Sequence, residues 1–323
     1  MTDVAREAGV SHQTVSRVLN EPEAVRSATR RRVERAIAKL GYRRSNAARS
    51  LRTRSTRTIG VVAPGDRTFG PARTTQAVEQ AARAHHYATI MTVVDEASKP
   101  TVDAAMNFFA EHGVDGIVVI AHQDPVAEAA LQMAEQLPVV VISSGIAPGY
   151  GRHVVGIDQK EGARLAVDHL LGRGFADIAH ISGPSAWFDA RERASGWQER
   201  MLSTDAELPR LVRGGWSAED GYQAAQRLLG GAKPPEAVFS ANDYMALGII
   251  RALAERGLRV PEDVAVVGFD DVDASDFFSP PLTTIRQPFE AAGEAALDAL
   301  FAVIDGAEQS YSLIAPELIV RTS

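Results

Sequence analysis

From Thr58 onward the sequence consists of short, mostly apolar runs separated by longer amphipathic stretches, and this alternation narrows the fold more than any other feature. Ile59–Ala63, Ile117–Ala121, Val139–Ile142, Ile178–Ser182, Ala237–Ser240 and Val264–Phe269 lack the alternating polar positions of a half-exposed strand. Such runs suit strands covered on both faces, as in a parallel sheet sandwiched between helices. Between them, Thr74–Ala84, Gly162–Leu171, Ala218–Leu229 and Met245–Arg256 read as amphipathic helices. Alternating β and α over this length predicts an α/β body of two doubly wound parallel-sheet lobes, each with its own core.

The first 57 residues are of a different kind. They hold 14 Lys and Arg against 5 Asp and Glu, a net +9; the remainder holds 20 against 36, a net −16. The overall charge of −7 therefore conceals a basic head on an acidic body, the asymmetry expected of a nucleic-acid-binding module fused to something else. Within the head, Gly9 can take the positive φ that ends one helix, and Ser11 can cap the next. Val4, Ala5, Ala8, Val10, Val15, Val18 and Leu19 form an apolar wedge between the two helices. Ser11 opens the second helix, and His12, Gln13, Thr14, Ser16 and Arg17 are left outward, as a helix-turn-helix needs to read base edges in the major groove. A third helix is predicted over Thr29–Leu40 from Val33, Ala36, Ile37 and Leu40, ended by Gly41, with Arg30, Arg31, Arg32, Arg35 and Lys39 on its other face.

The run A-G-V-S-H-Q-T-V-S-R-V-L-N at Ala8–Asn20 resembles the DNA-reading segment of the LacI/GalR transcriptional repressors. The likeness continues through nearly the whole chain, in stretches such as A-N-D-Y-M-A-L-G at Ala241–Gly248 and P-P-L-T-T-I at Pro280–Ile285, and is nearest to members of lactose-repressor type. The family usually carries several residues before its first helix; here the helix is expected to start from a Thr2 cap, or the start of the chain lies upstream. Arg26 stands where the family often has Ser, which moves the expected cap of the third helix to Ser27. Tyr42–Leu51 resembles the hinge segment, with Arg44 and Ser45 replacing its usual Pro and Asn. The resemblance implies that this segment folds when two copies meet in the operator minor groove, with Asn46 and Arg49 beside the DNA and Leu51 wedged between base pairs.

The implied organisation is an all-α helix-turn-helix domain over 1–44, a hinge helix and linker over 45–57, and an effector-binding and dimerisation domain over 58–323. That domain resembles the type I periplasmic-binding-protein fold, with an N-lobe of about 58–157 and 289–315 and a C-lobe of about 158–288 and 316–323. Its ligand belongs in the crevice at the carboxyl ends of the strands. Residues placed there are Phe69 and Pro71 after the first strand, Ser143 after Val139–Ile142, Arg191 and Arg193 after Ile178–Gly183, Trp216 before a helix, Asn242 after Phe239, Asp270 after Phe269, and Gln287 and Phe289 on the return crossover. Arg193, Asn242 and Asp270 offer bidentate partners for adjacent hydroxyls, and Trp216 and Phe289 offer aromatic plates for the apolar face of a sugar ring. Each also has a plainer structural reading: Trp216 as partial core, Asn242 as the cap of the helix that follows it, Asp270 and Asp271 as loop caps. Ser143 and Ile120 stand where family members carry polar ligand contacts.

The expected function is a repressor of sugar-utilisation genes, released from operator DNA by a galactoside- or glucoside-like sugar. The alternative is a purine-type regulator whose ligand strengthens DNA binding; less favoured is a sugar-acting enzyme on the same scaffold, for which no nucleophile–base pair stands out. No metal or cofactor is expected. There is no Cys, no G-x-G-x-x-G after the first strand and no P-loop, and His85 and His86, as neighbours on a helix, diverge too far to share a metal. With no apolar run of membrane-spanning length and no signal peptide, the protein is expected to be cytoplasmic and nucleoid-associated. The sequence stops soon after Leu318–Val320 with no trailing heptads, so a homodimer is expected rather than a tetramer.

Overall fold

The computed structural model describes residues 1–42, 55–65, 68–94, 98–134, 137–147, 153–204, 210–231, 233–307 and 310–323. Two compact units divide the chain, Met1–Thr56 and Arg57–Ser323. In the first, α1 (Thr2–Ala8), α2 (His12–Asn20) and α3 (Ser27–Leu40) enclose a small core of Val4, Ala5, Ala8, Val15, Val18, Val33 and Ala36. Gly9 ends α1 at φ 60° and Gly41 ends α3 at φ 57°, both left-handed as the sequence requires. The expected caps of α1 and α3 are corrected. Thr2 and Ser27 are the first helical residues, Met1 and Arg26 occupy the cap positions, and neither supplies a side-chain cap bond.

The second unit holds two parallel sheets. The larger is ordered β11-β5-β4-β3-β1-β2, from β1 (Thr58–Pro64), β2 (Ala88–Val94), β3 (Gly116–Ile120), β4 (Val139–Ile142), β5 (His153–Ile157) and β11 (Ser310–Ile314). The smaller is ordered β7-β6-β8-β9, from β6 (Ile178–Ser182), β7 (Leu211–Arg213), β8 (Ala237–Ser240) and β9 (Ala265–Val267). A separate antiparallel pair joins β10 (Thr284–Arg286) to β12 (Glu317–Ile319). Both parallel sheets reverse direction of growth beside their first strand, so each opens a crevice at the carboxyl ends of its central strands.

Each sheet is covered on both faces. The larger packs α5 (Lys99–Glu111) and α6 (Asp124–Met133) on one side through Met106, Phe109 and Ala130, and α4 (Phe69–Ala84) and α11 (Phe289–Ile304) on the other through Val78, Leu297 and Leu300. The smaller packs α9 (Ala218–Leu228) and α10 (Asp243–Glu255) on one side, α7 (Gln159–Gly172) and α8 (Phe188–Leu202) on the other. The chain passes between the sheets three times: from β5 into α7, from β10 into α11, and from β11 into β12. Among the described residues no helix is long and apolar enough to cross a membrane, and no group of three or more His, Asp or Glu could hold a metal ion.

Candidate functional site

In the first unit the outward face of α2 is built by its cap. Ser11 Oγ accepts from the Thr14 N–H at 3.1 Å, which starts the helix so that Val15 and Val18 turn into the core. His12, Gln13 and Arg17 are then exposed, and Thr14 and Ser16 half-buried. Of the basic face on α3, Arg30 is taken up by Glu23 at 2.8 Å and Lys39 by Glu7 at 2.7 Å. Arg31, Arg32 and Arg35 remain exposed with no carboxylate partner among the described residues, cations available for phosphates. Asn46, Arg49 and Leu51 lie outside the described residues.

In the second unit, two adjoining chambers of about 50 and 20 Å³ open where strand ends of the two sheets face each other. The first is walled by Pro71, Ile120, Ser143, Gln287 and Phe289, the second by Phe69, Trp216, Arg193, Asn242 and Asp270; Gly70, Pro71 and Asp189 line both. Phe69, Gly70 and Pro71, placed after the first strand and ahead of a helix expected from Thr74, form the first turn of α4. Phe69 stands edge-on to Phe289 at 5.9 Å.

Behind the second chamber four buried side chains close a polar ring. Arg193 Nε donates to Gln159 Oε1 at 2.8 Å, Gln159 Nε2 to Gln287 Oε1 at 2.7 Å, and Gln287 Nε2 to Asp270 Oδ1 at 2.7 Å. The Asp270 carboxylate lies 3.7 Å from the Arg193 guanidinium, which also donates to the Ala241 carbonyl and stacks 3.7 Å over Phe269. Burial pushes the Asp270 carboxyl up to about 7 and outweighs the nearby arginine, which favours the charged form. Asp270 sits at φ 110°, a conformation costly for a non-glycine residue and held here by its N–H bond to the Ile285 carbonyl at 2.8 Å.

Trp216 is aimed by its neighbours. Its carbonyl accepts from Asn242 Nδ2 at 3.0 Å, and Ser217 and Asp220 form a capping box directly after it. Gly183 leaves room for the indole, since a Cβ there would come within 2.5 Å of it. Asn242 fills both of its readings: it lines the chamber and caps α10 through the Met245 N–H at 2.7 Å.

Arg191 is the one effector candidate that lines neither chamber. It forks onto Asp124 at 2.9 and 3.2 Å. Asp271, given a loop-capping reading from sequence, is ion-paired with Arg286 at 2.7 Å and Arg321 at 2.8 Å. His85 and His86 lie past the end of α4 rather than on it, with His86 at φ 61°. Sequence reasoning missed Gln159, Asp189, Trp187 and Ser144. Gln159 was legible as the residue after the first crossing, and Asp189 as a carboxylate in the strand-end segment that carries Arg191 and Arg193.

Comparison with known proteins adds the family. The profile described as bacterial regulatory proteins, lacI family, matches residues 1–45, and that of a periplasmic binding protein-like domain matches 167–323. The lactose operon repressor of Escherichia coli (strain K12) is 32% identical over 331 residues, spanning 99% of this chain and 88% of that protein. The HTH-type transcriptional repressor PurR of Haemophilus influenzae is 36% identical over 331 residues, spanning 99% and 97%. The crystal structure of the lac repressor dimer bound to operator and the anti-inducer ONPF superposes with a TM-score of 0.88 at 31% identity, over 99% of this chain and 97% of that one. These relatives are transcriptional repressors and not enzymes. A DNA-reading helix pair of the expected geometry, two doubly wound sheets and likeness along nearly the entire chain lead to one conclusion: the chain belongs to the lacI family of bacterial regulatory proteins and is a DNA-binding transcriptional repressor.

Proposed function

We propose that the protein represses sugar-utilisation genes and leaves its operator when a galactoside- or glucoside-like sugar binds between the two sheets. The carrying observation is that Arg193 from α8, Trp216 from the loop before α9, Asn242 from the end of β8 and Asp270 from beyond β9 wall one chamber opposite Phe69 and Pro71. Polar groups for hydroxyls and aromatic rings for the apolar ring face are the two halves of sugar recognition. Residues 1–44 read the operator through Ser11, His12, Gln13, Thr14, Ser16 and Arg17, with Arg31 on phosphate. Residues 45–57 serve as the hinge, with Asn46, Arg49 and Leu51 at the minor groove. Residues 58–323 bind the effector and dimerise.

A homodimer fits the apolar surface that one chain leaves uncovered. Met91 and Val93 on the edge strand β2 are 54% and 49% exposed, and Phe277 is 86% exposed. Such a protein works in the cytoplasm, at the nucleoid. Coupling is reciprocal: a sugar that prefers the non-operator arrangement weakens DNA binding by the factor by which DNA weakens sugar binding.

Operator binding followed by fluorescence anisotropy across a sugar titration tests this reading. Release by a galactoside or glucoside in the wild type, lost in Arg193→Ala and Asp270→Ala, is the expected result. Unchanged release in both variants would sink the pocket assignment. The PurR relative at 36% identity keeps one other reading in play: tighter operator binding on adding a purine would reverse the mechanism to co-repression.

A further inference from the structure

The amino end of α8 and the turn before it reach from the smaller sheet onto the larger. Trp187 meets the His122 ring at 4.3 Å, the Phe188 N–H donates to the His122 carbonyl at 3.0 Å, and Arg191 forks onto Asp124. Gly145 permits this approach, because a Cβ there would fall 2.0 Å from the Phe188 ring. Held between these contacts is Asp189, whose Oδ1 accepts from the Ser144 hydroxyl at 2.5 Å. Among the described residues Asp189 has no other hydrogen bond and no cationic partner, yet it lines both chambers. Among the described residues the one arginine or lysine on the walls, Arg193, is already shared among Gln159, Ala241 and Asp270. Counting Asp189, Arg193 and Asp270, the described carboxylates and arginine of the walls carry −1 with Asp270 ionised and zero with it protonated. In neither state are they positive.

We propose that Asp189 is a specificity-determining residue, accepting hydrogen bonds from ligand hydroxyls at the junction of the two chambers and excluding sugars that carry a carboxylate or phosphate. The proposal rests on the sugar reading above and narrows it to uncharged glycosides. A carboxylate with one oxygen unsatisfied calls for donors, and a second anion placed against it gains no hydrogen bond and meets repulsion that the buried Arg193 is too committed to relieve. Position reinforces chemistry, since Asp189 is anchored from the far lobe and cannot withdraw without breaking the Trp187 and Phe188 contacts.

The test is calorimetric titration of the full-length protein with methyl galactoside, methyl glucoside and the matching methyl uronides. Wild type is expected to bind a neutral glycoside at least about tenfold more tightly than its uronide. Asp189→Asn should shrink that gap to about threefold or less, because it keeps the shape and removes the charge. Ser144→Ala, which breaks the Ser144–Asp189 bond and keeps the charge, should retain the gap, separating a charge effect from a loosened contact. Neutral glycosides that bind with the gap absent in wild type, or undiminished in Asp189→Asn, overturn this inference and leave the sugar reading standing. Wild type binding no glycoside of either kind overturns both.

Discussion

The head and the cleft place their working residues in opposite ways. In the head, His12, Gln13, Arg17 and Arg31 are exposed, and the core beneath them is made of other residues, Val4, Val15 and Val33 among them. In the cleft, Arg193, Asp270, Gln159 and Gln287 are buried and bonded to one another, so the residues proposed to meet the ligand are also part of what holds the lobe together. Function and stability are separable in the first region and entangled in the second. Substitutions should therefore sort by region, with a lost function alone in one and a lost function plus a lost fold contribution in the other.

The largest effect expected is from removing residues 1–57. Operator-specific binding should vanish while the remaining unit unfolds cooperatively and still binds sugar; operator binding by the truncated protein would break the comparison at its root. Next is Arg193→Ala, which strands Asp270, Gln159 and the Ala241 carbonyl in a buried site. It should abolish sugar release and cost about 3–5 kcal/mol of stability in denaturant unfolding. A variant that lost release with an unchanged unfolding midpoint would show the cleft to be as separable as the head. Arg17→Ala should weaken operator binding by about 1–3 kcal/mol, as for a lost bidentate base contact, with no change in unfolding. Arg31→Ala should weaken all DNA alike and reduce the salt slope by about one.

A smaller, pH-dependent effect belongs to the body alone. Burial raises the carboxyls of Asp270 to about 7 and Asp243 to about 6, so the folded state holds their protons more tightly than the unfolded chain does. Their contribution is full below the ordinary carboxylate range and is lost as pH rises through about 6 to 7. Buried His180 works the other way. Its pKa falls to about 4, so its contribution is present above about 6.5 and is lost as pH falls. Thermal unfolding of wild type against Asp270→Asn should show the variant holding its Tm better between pH 6 and pH 8, and parallel curves would remove Asp270 from the account. Smallest is Ser11→Ala, which should cost the head about 1 kcal/mol by thermal unfolding of the isolated head.

What could be read in advance followed burial. Strands β1, β3, β4, β6, β8 and β9 are mostly apolar and buried, and each was legible to within a residue or two, whereas the equally buried β5, H-V-V-G-I, went unread because His153 and Gly156 shorten its apolar run. β2, β7 and β11 lie at sheet edges, where exposed positions interrupt the apolar run, and they left no comparable mark. Arg193, Asn242 and Asp270 were visible because each directly follows or faces a strand end. Gln159 and Asp189 were legible only by their place along the chain; their pairings with Gln287 and Ser144, far along the sequence, are announced by no local spacing.

The three passages between sheets have a consequence for the order of synthesis. Strand β5 is complete at residue 157, but its neighbour β11 comes from residues 310–314, and α11, whose Ala296, Leu297 and Leu300 cover one face of the larger sheet, immediately precedes it. At ribosomal speeds of about 5–20 residues per second, that face waits roughly 7–30 s for its lid. Throughout that interval Ile59, Val118 and Val140 are without the helix that buries them in the finished protein. The larger lobe, although it begins first, can be finished only after all four strands of the smaller sheet have been made, and the smaller lobe then closes last, with β12 and Ser323.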